Sequence, residues 1–181
     1  MSVITLNNVR LSFPVIWNSK PYAEGSTPKY SANLILDKDA NKSHIAELKK
    51  AIKQAATVGF DGDIPKDIGL CLGDGVEKAY DGYDNAMYVS CSSRNRPTII
   101  DRDRTPLVEE DGKPYAGCYV NAAISLWVQK QYGKRINANL LALQFVKDGE
   151  PFGSTGIEVS AVFDDISNEQ AADAADDDFL N

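Results

Sequence analysis

Residues 117–129 alternate almost without interruption. Val120, Ala122, Ile124, Leu126 and Val128 fall on one face, and Tyr119, Asn121, Ala123, Ser125, Trp127 and Gln129 fall on the other. A period of two over that length predicts a strand with one face in a core and one face open. Such a strand leaves a full row of backbone donors and acceptors on each edge, so the rest of the chain must supply pairing partners.

The partners are legible. Residues 137–147 are expected to pair back across the turn at Gly133, with Leu141, Leu143 and Phe145 inward. Residues 3–13 read as a strand with Val9, Leu11 and Phe13 on the core face, bent or bulged at Asn7-Asn8. Residues 14–28, with Pro14, Pro21, Gly25 and Pro28, read as a loop holding Trp17 and Tyr22. Residues 29–36 place Tyr30, Ala32, Leu34 and Leu36 on one side; residues 86–93 place Met87, Val89 and Cys91 inward and Tyr88, Ser90 and Ser92 outward. Short strands are expected at 98–100 and 157–163, and turns at Asp111-Gly112 and Asp148-Gly149.

One helix is predicted, over 40–57, with Ile45, Leu48, Ile52 and Ala55 at helical spacing, Asp39 or Asn41 near its start and Gly59 at its end. The Gly- and Asp-rich stretch 58–85 reads as a long functional loop. The fold class is therefore mainly β with one helix, an antiparallel sheet closed into an OB-fold-like barrel.

Charge divides the chain. Of 26 Asp and Glu, seven lie in residues 164–181, which contain no Lys or Arg; residues 1–163 hold 19 acids against 19 bases. The acidic stretch cannot bury enough apolar surface to offset its ordering entropy. Residues 1–163 are expected to form the domain and 164–181 a disordered acidic tail. The tail ends in Asp176-Asp177-Asp178-Phe179-Leu180-Asn181, an apolar pair behind three carboxylates that suits docking to a partner or masking of a basic groove. No signal peptide or membrane span is expected, and three cysteines without a CxxC fit a reducing cytoplasm.

Catalytic chemistry finds no residues. His44 is the single histidine and sits near the helix start, where a surface or capping role accounts for it. There is no phosphate-binding glycine loop. The Asp-Gly clusters at 61–63 and 73–75 lack the spaced ligands of a calcium loop and read as turns. Asp101 and Asp103 could hold Mg²⁺ in a nuclease only with a third acid, and ion pairing with the interleaved Arg102 and Arg104 is the simpler account. Cys71, Cys91 and Cys118 read as core residues. No enzyme activity, metal or cofactor is expected.

What the sequence does offer is aromatic side chains interleaved with bases. Tyr88 leads to Arg94 and Arg96; Tyr119 and Trp127 lead to Lys130, Tyr132, Lys134 and Arg135. Binding of single strands needs both kinds, because cations track phosphates and ring faces stack on bases of any sequence. These nine residues are the expected DNA contacts, with Tyr80, Tyr83, Arg102 and Arg104 as second choices.

Five segments then resemble a known family: Leu6-Asn7-Asn8-Val9-Arg10-Leu11-Ser12-Phe13-Pro14, Lys29–Lys38 (KYSANLILDK), Leu72-Gly73-Asp74-Gly75, Tyr115–Ala122 (YAGCYVNA) and Gln144–Glu150 (QFVKDGE). In this order they resemble the bacteriophage single-stranded DNA-binding proteins once filed as a domain of unknown function, distantly similar to the T7-type binding proteins. The resemblance covers about residues 4–163. It implies an OB fold, sequence-tolerant DNA binding, no enzymatic activity and a role in phage replication or recombination. The tail with Asp176, Asp177, Asp178 and Phe179 resembles the acidic tails by which such proteins recruit replication and repair partners. A homo-oligomer is compatible with this reading. The alternative is an acidic DNA mimic or protein-interaction module without DNA affinity. One departure stands out: the usual OB order puts the helix after the third strand, and here only two clear strands precede it.

Overall fold

The structure, a computed structural model, describes residues 2–153 and 163–168. It contains β1 (Val3–Lys20), β2 (Lys29–Asp37), α1 (Lys42–Gly59), β3 (Gly69–Leu70), β4 (Leu72–Asp74), β5 (Ala86–Ser93), β6 (Thr98–Ile100), β7 (Tyr119–Gln129) and β8 (Arg135–Lys147). Five of these strands close a barrel. β1 pairs with β2 and β7, β2 with β5, and β7 with β8, all antiparallel; the barrel closes through a parallel contact of β5 with β8. The barrel is OB-like, with the helix after the second barrel strand rather than the third. The short closing contact is parallel and every other barrel pair is antiparallel. β3 and β6 flank β8, and β4 flanks β5.

Strand β1 serves two neighbours by breaking register three times, the last between Val15 and Lys20 against β2. Its register shifts between Leu6 and Val9 against β7, where Asn8 has φ 54°, and between Ser12 and Val15 against β2, where Phe13 has φ 46°. The first break is the one expected at Asn7-Asn8. The second overturns two expectations. Pro14 does not end the strand, because it lies in a bulge where no ladder bond needs its missing N–H, so β1 runs on through Trp17 to Lys20. Phe13, expected inward with Val9 and Leu11, is swung out to the surface and is 53% exposed.

The core is the barrel interior: Leu6, Val9, Leu11, Leu34, Leu36, Val89, Val120, Ile124, Ile136, Leu140 and Leu143 are all essentially inaccessible. Each such side chain contributes about 1.5–3 kcal/mol on burial. Helix α1 packs on the barrel with Ile45, Leu48, Ile52 and Ala56; Ala55, expected on that stripe, is half-buried beside it. Asn41 stands at the helix start without capping it. Its Oδ1 accepts from the Asp37 N–H at 2.9 Å, and its Nδ2 donates to the carbonyls of Asn7 and Asn8, tying α1 to the first bulge. At the other end Gly59 meets Val128, where a Cβ would stand 2.7 Å from a methyl carbon. His44 Nε2 accepts from the Asn7 N–H at 3.3 Å, a structural contact near the helix start.

Other differences have equally local causes. A register shift between Ala123 and Ile124 pairs Ile124 with Leu140, so Leu140 turns inward and Leu141 is only half-buried. Ser125, expected on the open face, is fully buried; its Oγ accepts from Asn139 Nδ2 at 3.5 Å. Asp111 closes a 3-10 turn, Glu109–Asp111, that ends on left-handed Gly112 rather than turning a hairpin. Stretch 58–85 is less irregular than expected, since it contains β3, β4 and a 3-10 turn at Gly75–Glu77. Of the strand expected at 157–163, residues 157–162 lie outside the described residues, and Phe163 is exposed and not in a strand. Of the expected tail, Asp164–Asn168 are exposed, while residues 169–181, including Asp176, Asp177, Asp178 and Phe179, lie outside the described residues.

Candidate nucleic-acid interface

An open trough of about 300 Å³ runs over the outer surface where β2, β5 and β8 meet. Strand alternation delivers its floor. Ser31 and Asn33 come from β2, Ser90 and Ser92 from β5, and Arg135 and Asn137 from β8. The β2–β5 register sets Ser31 beside Ser92 and Asn33 beside Ser90. Ser90 Oγ donates to Asn33 Oδ1 at 3.1 Å, and Asn33 Nδ2 donates to the Tyr83 hydroxyl at 3.1 Å. Tyr83 itself is fully buried and donates to Ser12 Oγ at 2.9 Å, so the floor is anchored from beneath.

Two arms border the trough. One is the β1–β2 connection, with Lys20 paired to Lys29 at its base and Tyr22 almost fully exposed at its tip. The other is the β7–β8 hairpin, carrying Lys130, Tyr132, Lys134 and Arg135, all exposed. Tyr132 has φ 58° and a wholly accessible ring. Gln129 Nε2 donates to the carbonyls of Gln131, Tyr132 and Gly133 and braces this tip. Gln129 Oε1 accepts from Asn137 Nδ2 at 2.9 Å, which joins the brace to the trough floor. Trp127, 41% exposed, pairs across with Asn137 and extends the hairpin surface. At the far end of β5, Arg94 and Arg96 are exposed, and the Arg96 guanidinium lies 5.0 Å from the Trp17 ring centroid.

The trough lining holds one charge, the Arg135 guanidinium, and no carboxylate. Elsewhere two acids are matched, Asp74 with Lys38 and Asp101 with Lys113, each at 3.0 Å. The Val76 N–H and Lys38 hold the Asp74 carboxyl below its ordinary value; the Arg102 N–H and Lys113 do the same for Asp101. Asp103 is lowered by the Thr105 hydroxyl and N–H. No three His, Cys, Asp or Glu among the described residues are placed to share a metal ion. A larger cleft of about 610 Å³, between α1 and β3–β4, is walled by Ile52, Ile64 and Leu70, with Lys49 and Lys53 set against Asp74 and Glu77 around it.

Of the nine expected contacts, the structure gathers Trp127, Lys130, Tyr132, Lys134 and Arg135 at one arm, with Arg94 and Arg96 beyond Ser92. It does not bring Tyr88 or Tyr119 to them. Tyr88 is half-buried against Gly73 and Tyr83, with Lys78 Nζ 5.6 Å from its ring centroid. Tyr119 sits eight residues from Trp127, about 27 Å along a strand, packed with Arg10 and Lys147. Among the second choices, Tyr83 is structural, Tyr80 is surface-exposed, and Arg102 and Arg104 are exposed in the turn after β6. The cysteines are buried as expected, and desolvation pushes the Cys71 thiol up to about 11 and the Cys91 thiol up to about 12. Sequence reasoning missed Ser31, Asn33, Asn137 and Tyr22. The first three needed the register; Tyr22 was signalled only by an aromatic standing alone in a Pro- and Gly-rich loop.

Comparison with known proteins gives the family and the fold. A family model described as "Enterobacter phage Enc34, ssDNA-binding protein" matches residues 1–180. Protein p50 of Acyrthosiphon pisum secondary endosymbiont phage 1 is 38% identical over 173 residues, covering 91% of this chain and 94% of that protein. The single-stranded DNA-binding protein from bacteriophage Enc34, solved in complex with ssDNA, superposes with a TM-score of 0.76 at 30% identity, over 83% of this chain and 89% of that one. The single-stranded DNA-binding protein gp2.5 of bacteriophage T7 superposes with a TM-score of 0.55 at 15% identity, over 95% and 99% of the two chains, a likeness of fold. No helix among the described residues is long and apolar enough to cross a membrane.

Proposed function

We propose that this chain, which belongs to the phage Enc34 ssDNA-binding protein family, binds single-stranded DNA without sequence preference along the β2–β5–β8 trough. It works as a binding protein and not as an enzyme. The observation that carries the reading is the trough itself: a carboxylate-free floor of Ser, Asn and Arg between two arms tipped by exposed tyrosines and lysines. The strand face and the two bordering loops are where OB barrels take up oligonucleotides.

Each part has a task. Lys130, Lys134, Arg135, Arg94 and Arg96 neutralise phosphates and release counterions. Trp127, Tyr132 and Tyr22 offer ring faces for bases, each stack contributing about 1–3 kcal/mol. Ser31, Asn33, Ser90 and Asn137 supply both donors and acceptors, so they accommodate any base edge or phosphate oxygen. Residues 164–181, through Asp176, Asp177, Asp178 and Phe179, imitate phosphates and a stacked base. They occupy the trough when DNA is absent and, once displaced, recruit replication or recombination proteins. The domain proper is residues 1–163.

A labelled oligo-dT titrated at several salt concentrations tests this with the full chain and with a chain ending at Phe163. Salt-dependent binding that tightens on truncation is the expected result. Equal binding by both discards masking, and no binding by either at low salt discards the function.

A further inference from the structure

Past the edge of the trough, Phe13 separates it from a second opening of about 450 Å³ walled by Tyr80 and Phe152 over Ser12 and Ala116. We propose that this cleft receives a nucleobase at one end of the bound strand, stacked against the Phe13–Tyr80 pair. The inference rests on the trough being the path of the DNA, because Phe13 lines both spaces and so sets the cleft directly beside the trough.

Phe13 is held in an unfavourable state to be there. Its φ of 46° lies in the left-handed region that a bulky residue rarely enters, and the surrounding bulge must impose it. The same bulge turns the ring out of the core, where it stays 53% exposed. Strain that turns an apolar ring out of the core is not repaid by core packing, and such positions gather at binding sites. The ring meets Tyr80 edge to face, with centroids 5.0 Å apart. Tyr80 in turn meets the buried Tyr83 at 5.5 Å, and Tyr83 is fixed by Ser12 and Asn33. The platform is thus mounted on the same hydroxyl that anchors the trough floor.

The opposite wall is fixed as firmly. The Arg10 guanidinium lies 4.1 Å from the Phe152 ring centroid while donating to the carbonyls of Gly117 at 3.0 Å and Glu150 at 2.6 Å. Gly82, at φ 84°, leaves the space Phe152 fills; a Cβ there would stand 2.6 Å from the ring. Asp81 lines the cleft as well. Its carboxylate repels phosphate and accepts from amino or imino groups on a base edge. A base can enter while its phosphate stays outside, which is how the end of a strand would insert.

The test walks a single 2-aminopurine along a dT oligonucleotide bound to the full chain. Stacking on Phe13–Tyr80 should quench its fluorescence severalfold at one terminal position. Phe13→Asn keeps the left-handed backbone, since Asn visits that region readily, and Tyr80→Ala removes the partner ring. Each variant should abolish quenching at that position, retain it at interior positions and weaken binding about tenfold. Unchanged terminal quenching in both variants, with the oligonucleotide still bound, would overturn the cleft and leave the trough standing. Failure of the unaltered chain to bind any oligonucleotide at low salt would overturn both.

Discussion

Removing one oxygen, by Tyr83→Phe, should destabilise this domain measurably although the ring stays in place. The hydroxyl is wholly buried, donates to Ser12 Oγ at 2.9 Å and accepts from Asn33 Nδ2 at 3.1 Å. Two neutral hydrogen bonds contribute about 0.5–1.5 kcal/mol each, and Ser12, itself 2% exposed, is left without a partner. The expected loss is about 1–3 kcal/mol. At about 2–4 °C per kcal/mol for a chain of this size, Tm should fall by about 2–12 °C. Thermal melts followed by circular dichroism measure it. Ser12→Ala combined with Tyr83→Phe should cost less than the sum of the single changes by about 1 kcal/mol, because both remove one bond. A Tm for Tyr83→Phe within about 1 °C of the parent, or strict additivity with Ser12→Ala, would refute the reasoning.

Other expectations concern binding and reactivity. Arg135→Ala should weaken oligo-dT binding and flatten the slope of log K against log salt by about 0.7, which anisotropy titrations at four or five salt concentrations can read. Trp127→Ala should cost about 1–3 kcal/mol of binding, and Tyr119→Ala much less, because Tyr119 lies with Arg10 and Lys147 away from the trough. The buried thiols, raised to about 11 and about 12 at Cys71 and Cys91, should resist alkylation at pH 8 in the native protein and label at once in denaturant. The raised values also fix a sign: stability from these thiols is intact below the unfolded value near 9 and declines as pH climbs toward the folded values. Melts across pH 8–11 should show that decline.

Much of the barrel was legible because its strands carry one wet and one dry face. Val120, Ala122 and Ile124 announced β7, and Ile45, Leu48 and Ile52 announced α1. The misreadings cluster where one residue is inserted into a strand. A bulge reverses which side chains face inward, and composition does not mark its position; this hid the exposure of Phe13 and exchanged Leu140 for Leu141. The expected contacts Lys130, Tyr132, Lys134 and Arg135 fall together on one hairpin because they lie within six residues of one another in the sequence. Tyr119 shares a strand face with Trp127 but lies eight residues away, so the same face carries it to a different neighbourhood, beside Arg10 and Lys147. The trough floor was invisible because Ser31, Asn33, Ser90 and Asn137 are unremarkable until the register of three strands brings them together.

Photocrosslinking with 5-iododeoxyuridine along a dT strand, with adducts located by mass spectrometry, tests the central claim most directly. Binding along the trough predicts adducts at Trp127, Tyr132 and Tyr22, from positions in consistent order along the strand. Adducts concentrated at Tyr119 or on the α1 cleft, with none on either arm, would contradict it.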